Sequence, residues 1–123
     1  MNNIPFYPHI SSKANTHHTC TQIFTENYTQ GITPDMLKHA YSFYLPQHIT
    51  ETSIAVISAF DNPEIIGSMR CFCKAFSLNV PQMETHYPLG KTNIASRRWG
   101  IESYLDTQWA HVFSTYSKIH AVF

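Results

Sequence analysis

Hydrophobic and polar residues alternate in a strand-like pattern through the middle of the chain. The β-branched apolar run Ile54–Ile57 has strand length, and the turn-forming sequence Asp61-Asn62-Pro63 follows it. From Ile65 to Phe76 the residues alternate between two faces of a predicted strand. One face is small and apolar, and the other carries Arg70 and Lys74 next to aromatic residues. The pattern predicts a β-hairpin with one face packed on helices and the other either solvated or facing a ligand.

Other elements are predicted on both sides of this hairpin. Thr21–Thr29 has the composition of a short strand, and Thr33 is an N-cap for an amphipathic helix that Pro46 ends. Thr92–Tyr104 alternates like a second strand, and Asp106–His120 carries an apolar stripe at helical spacing. The final residues 120–123 could open another strand.

The remaining segments are predicted to be irregular. Residues 1–20 are turn-rich and form an N-terminal arm, and residues 21–123 form a single domain. Residues 77–91 contain two prolines and a glycine and are predicted to be a long loop, which in a compact domain is more often functional than idle.

Composition narrows the class of partner. Hydrophobic residues make up 43% of the 123-residue chain and charged residues only 13%. Eight Lys and Arg balance eight Asp and Glu, so nucleic acid and anionic membranes are not expected partners. A sparsely charged, aromatic-rich surface favours a protein partner, a homodimer or an apolar ligand.

Cysteine and histidine usage gives a second set of expectations. Cys20, Cys71 and Cys73 cannot all pair, and they are interpreted as reduced thiols in a cytoplasmic protein. Neither a signal peptide nor a membrane span is predicted. His17 and His18 lie near Cys20, but no second pair of ligands follows at zinc-finger spacing. Solvated histidines are therefore favoured, and no metal is expected.

Three short motifs and the predicted order of elements resemble a known family. The order is that of the first half of the GNAT acyltransferase fold. The motifs are similar to those of the acyl-homoserine-lactone (autoinducer) synthases and related N-acyl-amino-acid synthases. They are Glu64-Ile65-Ile66-Gly67-Ser68-Met69-Arg70, Tyr87-Pro88-Leu89 and Ile94-Ala95-Ser96-Arg97-Arg98-Trp99-Gly100-Ile101.

This resemblance implies a GNAT-like α/β (α+β) domain, with a mixed, mostly antiparallel sheet flanked by helices and its C-terminal part missing. It also implies an acyltransferase-like protein that binds an acyl thioester, either acyl-CoA or an acyl-carrier protein, and acylates a small amine. Ile94 replaces the family's acidic residue. The phosphate-cradling loop of ordinary acetyltransferases is also absent, since the predicted strand is followed by Ser103-Tyr104-Leu105-Asp106, and the autoinducer-synthase branch tolerates that loss. The carrier protein is therefore the favoured donor.

The same resemblance supplies candidate site residues. Arg70 and Arg97 would hold a carboxylate or phosphate through their planar guanidinium groups. Glu84 and Glu102 are the nearest candidate bases, with His86 as a third. The other expected substrate contacts are Trp99, Phe72 and Phe76.

The alternative is a non-catalytic GNAT-like protein that acts through a homodimer or a partner protein. The missing acidic residue, the low charge and the aromatic-rich arm favour this alternative. A domain without its last strands would also expose a sheet edge that another chain can cover. Convergence of Arg70 and Arg97 on one pocket beside a carboxylate would favour the enzyme instead.

Overall fold

The computed structural model describes residues 31–44, 51–91 and 96–123, which form a mixed α/β protein. The predicted arm, the predicted strand at 21–29 and the segment 45–50 lie outside the described residues. The helices and strands follow in the order α1 (Pro34–Ala40), β1 (Ser53–Ile57), α2 (Ile65–Ala75), β2 (Met83–His86), α3 (Arg97–Phe113) and β3 (Lys118–Val122).

The three described strands form one parallel sheet with the order β1-β3-β2. The prediction of a mostly antiparallel sheet is therefore wrong. The reason lies in the connections, because a helix separates each strand from the next along the chain. A tight turn can join only antiparallel strands, whereas parallel strands need a crossover of this kind.

The first strand of the predicted hairpin is confirmed as β1, but the predicted return strand is helix α2. Its buried residues fall at i, i+4, i+7 and i+8, which is one stripe of a helix. The strand-like alternation therefore arises by coincidence from the order of small and large residues. The buried residues of α2 are Ile65, Met69, Phe72 and Cys73.

The second predicted strand, Thr92–Tyr104, is also wrong where the structure describes it. Residues 92–95 lie outside the described residues, and α3 begins at Arg97 with Ser96 as its N-cap. The predicted helix Asp106–His120 is confirmed only as far as Phe113, and the last residues form β3.

The first part of helix α3, from Arg97 to Leu105, was not predicted as a helix, and the stripe that α3 buries is largely polar. Ser103, Thr107 and His111 are all buried and lie four residues apart along the helix. The Ser103 hydroxyl donates to the Trp99 carbonyl at 2.8 Å, and the Thr107 hydroxyl donates to the Ser103 carbonyl at 2.7 Å. Hydroxyl groups satisfied in this way by the preceding turn can be buried without a hydrophobic signal in the sequence.

Helix α1 is confirmed at its start, where the Thr33 hydroxyl accepts a hydrogen bond from the Met36 amide at 3.2 Å. The helix ends at Ala40, before the predicted stop at Pro46. The predicted loop 77–91 contains β2, a four-residue strand too short to stand out in the sequence. Among the described strands it pairs only with β3, across a separation of more than 30 residues.

The two faces of the sheet differ in what covers them. Met83 of β2 packs on the buried cluster Met69, Phe72, Cys73 and Val112 from α2 and α3. In-register neighbours of Met83 on this face include Ile119 and Ile54. The opposite face, here called the open face, consists of Ser53, Ala55, Ile57, Glu84, His86, Lys118, His120 and Val122.

The cysteine prediction is corrected in part. Cys73 is a free, buried thiol, and burial raises its pKa, so that it is a poor nucleophile. Cys71 is disulfide-bonded, and the prediction of three reduced thiols is wrong for this residue. The expected cytoplasmic location therefore loses the support that it drew from the cysteines and stays a prediction.

The helical assignment of residues 65–75 makes a testable prediction at Gly67. Its side-chain position is open, since a Cβ would lie 3.8 Å from the Glu64 carboxylate, an ordinary contact. Gly67→Ala is therefore expected to raise the free energy of unfolding by about 0.5–1 kcal/mol, measured by urea denaturation. Gly90 has a φ of +89° and serves as the matched control. Gly90→Ala should destabilise by about 1–2 kcal/mol, and destabilisation by Gly67→Ala would contradict the helix.

Candidate metal centre

Three side chains with metal-binding chemistry meet on the open face. Glu84 and His86 are two residues apart on β2, so both point to the same side of the sheet. His120 of β3 is the register partner of Glu84 and points to that side as well. The parallel register thus joins residues more than 30 positions apart in the sequence.

The distances among these side chains suit a small divalent ion. His86 Nε2 and His120 Nδ1 are hydrogen-bonded at 2.8 Å. Glu84 Oε2 lies 3.7 Å from His86 Nε2 and 3.6 Å from His120 Nδ1. The centre of the circle through these three atoms is about 2.0 Å from each, which matches Zn–N and Zn–O bond lengths.

Lys118 completes the cluster as a cation beside the carboxylate. It lies two residues before His120 on β3, and its ammonium donates to Glu84 Oε1 at 2.6 Å. This hydrogen bond is the largest of the influences that lower the pKa of Glu84 below its ordinary value. Glu84 is thus held ionised, with Oε1 on the lysine and Oε2 toward the two imidazoles.

The residues present fit a zinc-like ion in chemistry as well as in distance. Two imidazole nitrogens and one carboxylate oxygen are a donor set that Zn²⁺ accepts, and three protein ligands leave a fourth position for another ligand. One of the two hydrogen-bonded nitrogens carries a proton, which must move to the other nitrogen of the same ring before both can bind a metal. The two nitrogens, now 2.8 Å apart, must also separate to reach a tetrahedral arrangement. All three side chains are at least partly accessible, so an ion can enter from solvent.

The predicted polar site residues do not meet in one place among the described residues. Arg70 is exposed on α2, Glu102 is exposed on α3, and Glu84 lies on the open face of the sheet. Arg97 is the first residue of α3, and its side chain lies outside the described part of the structure. Convergence of two arginines beside a carboxylate is therefore not among the described contacts.

The predicted aromatic site residues pack against other aromatic residues. Phe72 is buried, with its ring centroid 5.0 Å from that of Phe76 and 6.3 Å from that of Trp109. Trp99 is partly exposed and packs beside Phe60 at 6.2 Å. Phe72 and Phe76 thus contribute to the packing between α2 and α3.

A separate groove of about 400 Å³ lies at the amino ends of the three strands. Its lining includes Thr52, Ser117 and Lys118. The Thr52 and Ser117 hydroxyls bind each other, and the Lys118 ammonium is bound to Glu84. In this groove the Thr52 and Ser117 hydroxyls thus satisfy each other, whereas the open face brings two imidazoles and a carboxylate together.

The sequence pointed to two members of the cluster but missed His120. Glu84 and His86 were expected to act as bases on a loop, and His120 was placed at the end of a helix. Only the pairing of β2 with β3 brings His120 to Glu84. The Glu-x-His spacing in an alternating stretch was the available signal, because it places both side chains on one face.

The described residues thus define a mixed α/β protein with a histidine–carboxylate cluster on its open sheet face. Comparison of the chain with protein-family models, curated proteins and solved structures finds no match. The resemblance to autoinducer synthases therefore stays a prediction. Among the described helices none has both the length and the apolar character needed to cross a membrane.

Proposed function

We propose that this protein binds a divalent metal ion of the zinc class through Glu84, His86 and His120. The observation that carries the proposal is that one ligand atom from each side chain lies within 3.7 Å of the other two, so that a single ion can contact all three at zinc bond lengths. This function differs both from the acyltransferase and from the alternative of a GNAT-like protein that acts through a homodimer or a partner protein. It departs from the expectation that no metal is involved.

Ion binding would join β2 to β3 at the edge of the sheet. β2 has four residues and pairs only with β3 among the described strands. A metal ion bound by residues of both strands would therefore help to hold β2 in the sheet. An ion that binds only the folded protein stabilises it by about 2.7 kcal/mol at 100 times its dissociation constant. In a domain of this size that corresponds to a rise in melting temperature of several degrees.

The test is zinc titration of the purified chain against a competing chromophoric chelator, with thermal unfolding measured in parallel. His86→Ala/His120→Ala is expected to weaken zinc binding by at least about tenfold, since two of three ligands are lost. The same variant should lose the zinc-dependent rise in melting temperature.

His39→Ala is the matched control, because His39 is exposed near the end of α1 and lies outside the cluster. Its zinc affinity should equal that of the parent. Equal zinc affinity in the parent and in the double variant would overturn the proposal, because the zinc would then be bound elsewhere.

The acyltransferase hypothesis stays a prediction that rests on the sequence motifs. Its test is a thermal-shift screen against acyl-CoAs and an acyl-carrier protein, with Arg70→Ala/Arg97→Ala as the variant. A shift in the parent that the variant loses would support a thioester site. If no acyl donor changes the melting temperature, the acyltransferase hypothesis is rejected.

A further inference from the structure

Lys118 lies beside the proposed metal site and contacts one of its three ligand residues. Its ammonium is 2.6 Å from Glu84 Oε1, while the other oxygen of the same carboxylate is a proposed metal ligand. An ion on Oε2 withdraws negative charge from Glu84, so it weakens the hold of that carboxylate on the ammonium. Metal binding therefore makes the Lys118 ammonium available to another anion.

An apolar strip lies beside the cluster on the same face. Val122 of β3 is the register partner of His86, and Ile57 of β1 is the register partner of Val122. Ala55 is in turn the register partner of His120. Ile57 is 80% exposed, which is unusual for a strand residue of this size.

We propose that the metal-loaded site takes a small alkyl carboxylate. The carboxylate would bind the fourth metal position and accept a hydrogen bond from Lys118, and its alkyl part would lie along Val122, Ile57 and Ala55. The proposal rests on the proposed metal binding and names the ligand class of that same site. The metal ion and the Lys118 ammonium are both positively charged and would favour an anionic ligand. The apolar strip would favour a ligand that carries an alkyl group.

Lys118 has opposite effects on the two ligands, which makes the proposal sharply testable. Its positive charge competes with the metal for Glu84, so Lys118→Met should tighten zinc binding about five- to tenfold in the absence of carboxylate. The same substitution removes the donor to the bound anion. The carboxylate should therefore promote metal binding in the parent and lose most of this effect in the variant.

The experiment measures zinc affinity of the full chain alone and with hexanoate, acetate or hexanamide, corrected for zinc binding by the free ligand. The visible absorption of the cobalt-loaded protein reports directly on entry of a ligand to the metal. Hexanoate is expected to tighten zinc binding several-fold and to change the cobalt spectrum. Acetate should act more weakly because it lacks the alkyl chain, and uncharged hexanamide should have no effect.

Ile57→Ser is the second variant, since Ile57 is exposed and contributes no metal ligand. It should bind zinc like the parent and respond to hexanoate no more than to acetate. If zinc binds but hexanoate alters neither zinc affinity nor the cobalt spectrum, the ligand assignment fails and the metal site stands. If zinc binding does not depend on His86 and His120, the proposed function itself fails.

Discussion

Phe72→Ala is expected to lower the free energy of unfolding by about 3–5 kcal/mol, measured by urea denaturation. Phe72 is only 4% exposed and packs on Met69, Cys73 and Val112, with Phe76 and Trp109 at its ring. Truncation removes both the transfer free energy of the ring and its contacts with neighbours that cannot close the gap. Domains typically have only about 5–15 kcal/mol of stability in total, so this single change removes a large share.

Arg70→Ala supplies the control on the same helix. Arg70 is exposed, and alanine suits a helix, so its effect should stay within about 0.5 kcal/mol. Phe72→Leu should fall between the two, because most of the apolar volume is retained. A loss below about 1 kcal/mol for Phe72→Ala would contradict its place in the core. Such tolerance would instead agree with Phe72 lining a ligand pocket, as the family resemblance implied.

Element types were predicted well where a cap or a β-branched run marked them. Thr33 with Pro34 marked the start of α1, and the Ile54–Ile57 run marked β1. Residues 65–76 were predicted as a strand because their small and large residues alternate. Their burial at i, i+4, i+7 and i+8 is set by packing against α3, which no local pattern reveals.

Local sequence patterns were also insufficient to predict the candidate site. Glu84 and His86 share one face through local spacing alone, and the sequence named both as polar candidates. His120 joins them only through the parallel pairing of β2 with β3, which needs the crossover through α3. The third ligand was missed because the helix predicted from Asp106 was extended to His120, whereas α3 ends at Phe113 and β3 begins at Lys118.

His111 is a buried polar side chain whose protonation the fold opposes. It is 0% exposed, and its Nε2 donates a hydrogen bond to the Asn79 carbonyl at 2.8 Å. Its Nδ1 is buried without a hydrogen-bond partner among the described residues. Burial is the main cause that lowers the pKa of His111 below its ordinary value of 6.5, and the nearby Lys38 charge acts in the same direction.

This arrangement makes part of the folding stability dependent on pH. Because the folded pKa lies below the unfolded pKa, the unfolded chain binds the proton more readily between these two values. The contribution of neutral His111 is therefore complete above about pH 6.5 and is lost as the pH falls toward the folded pKa. The slope for one proton reaches about 1.4 kcal/mol per pH unit.

His111→Gln is the decisive variant, since a glutamine amide can donate to the Asn79 carbonyl but does not titrate near pH 6. Urea denaturation of parent and variant between pH 8 and pH 5 should show stabilities that converge or cross as the pH falls. The difference isolates His111, because acidic groups and the other histidines titrate in both proteins. A difference that stays constant across this range would mean that His111 can accept its proton in the folded state. Protonation would then require a partner for Nδ1 beyond the described residues, and the buried stripe of α3 would be more accessible than its packing indicates.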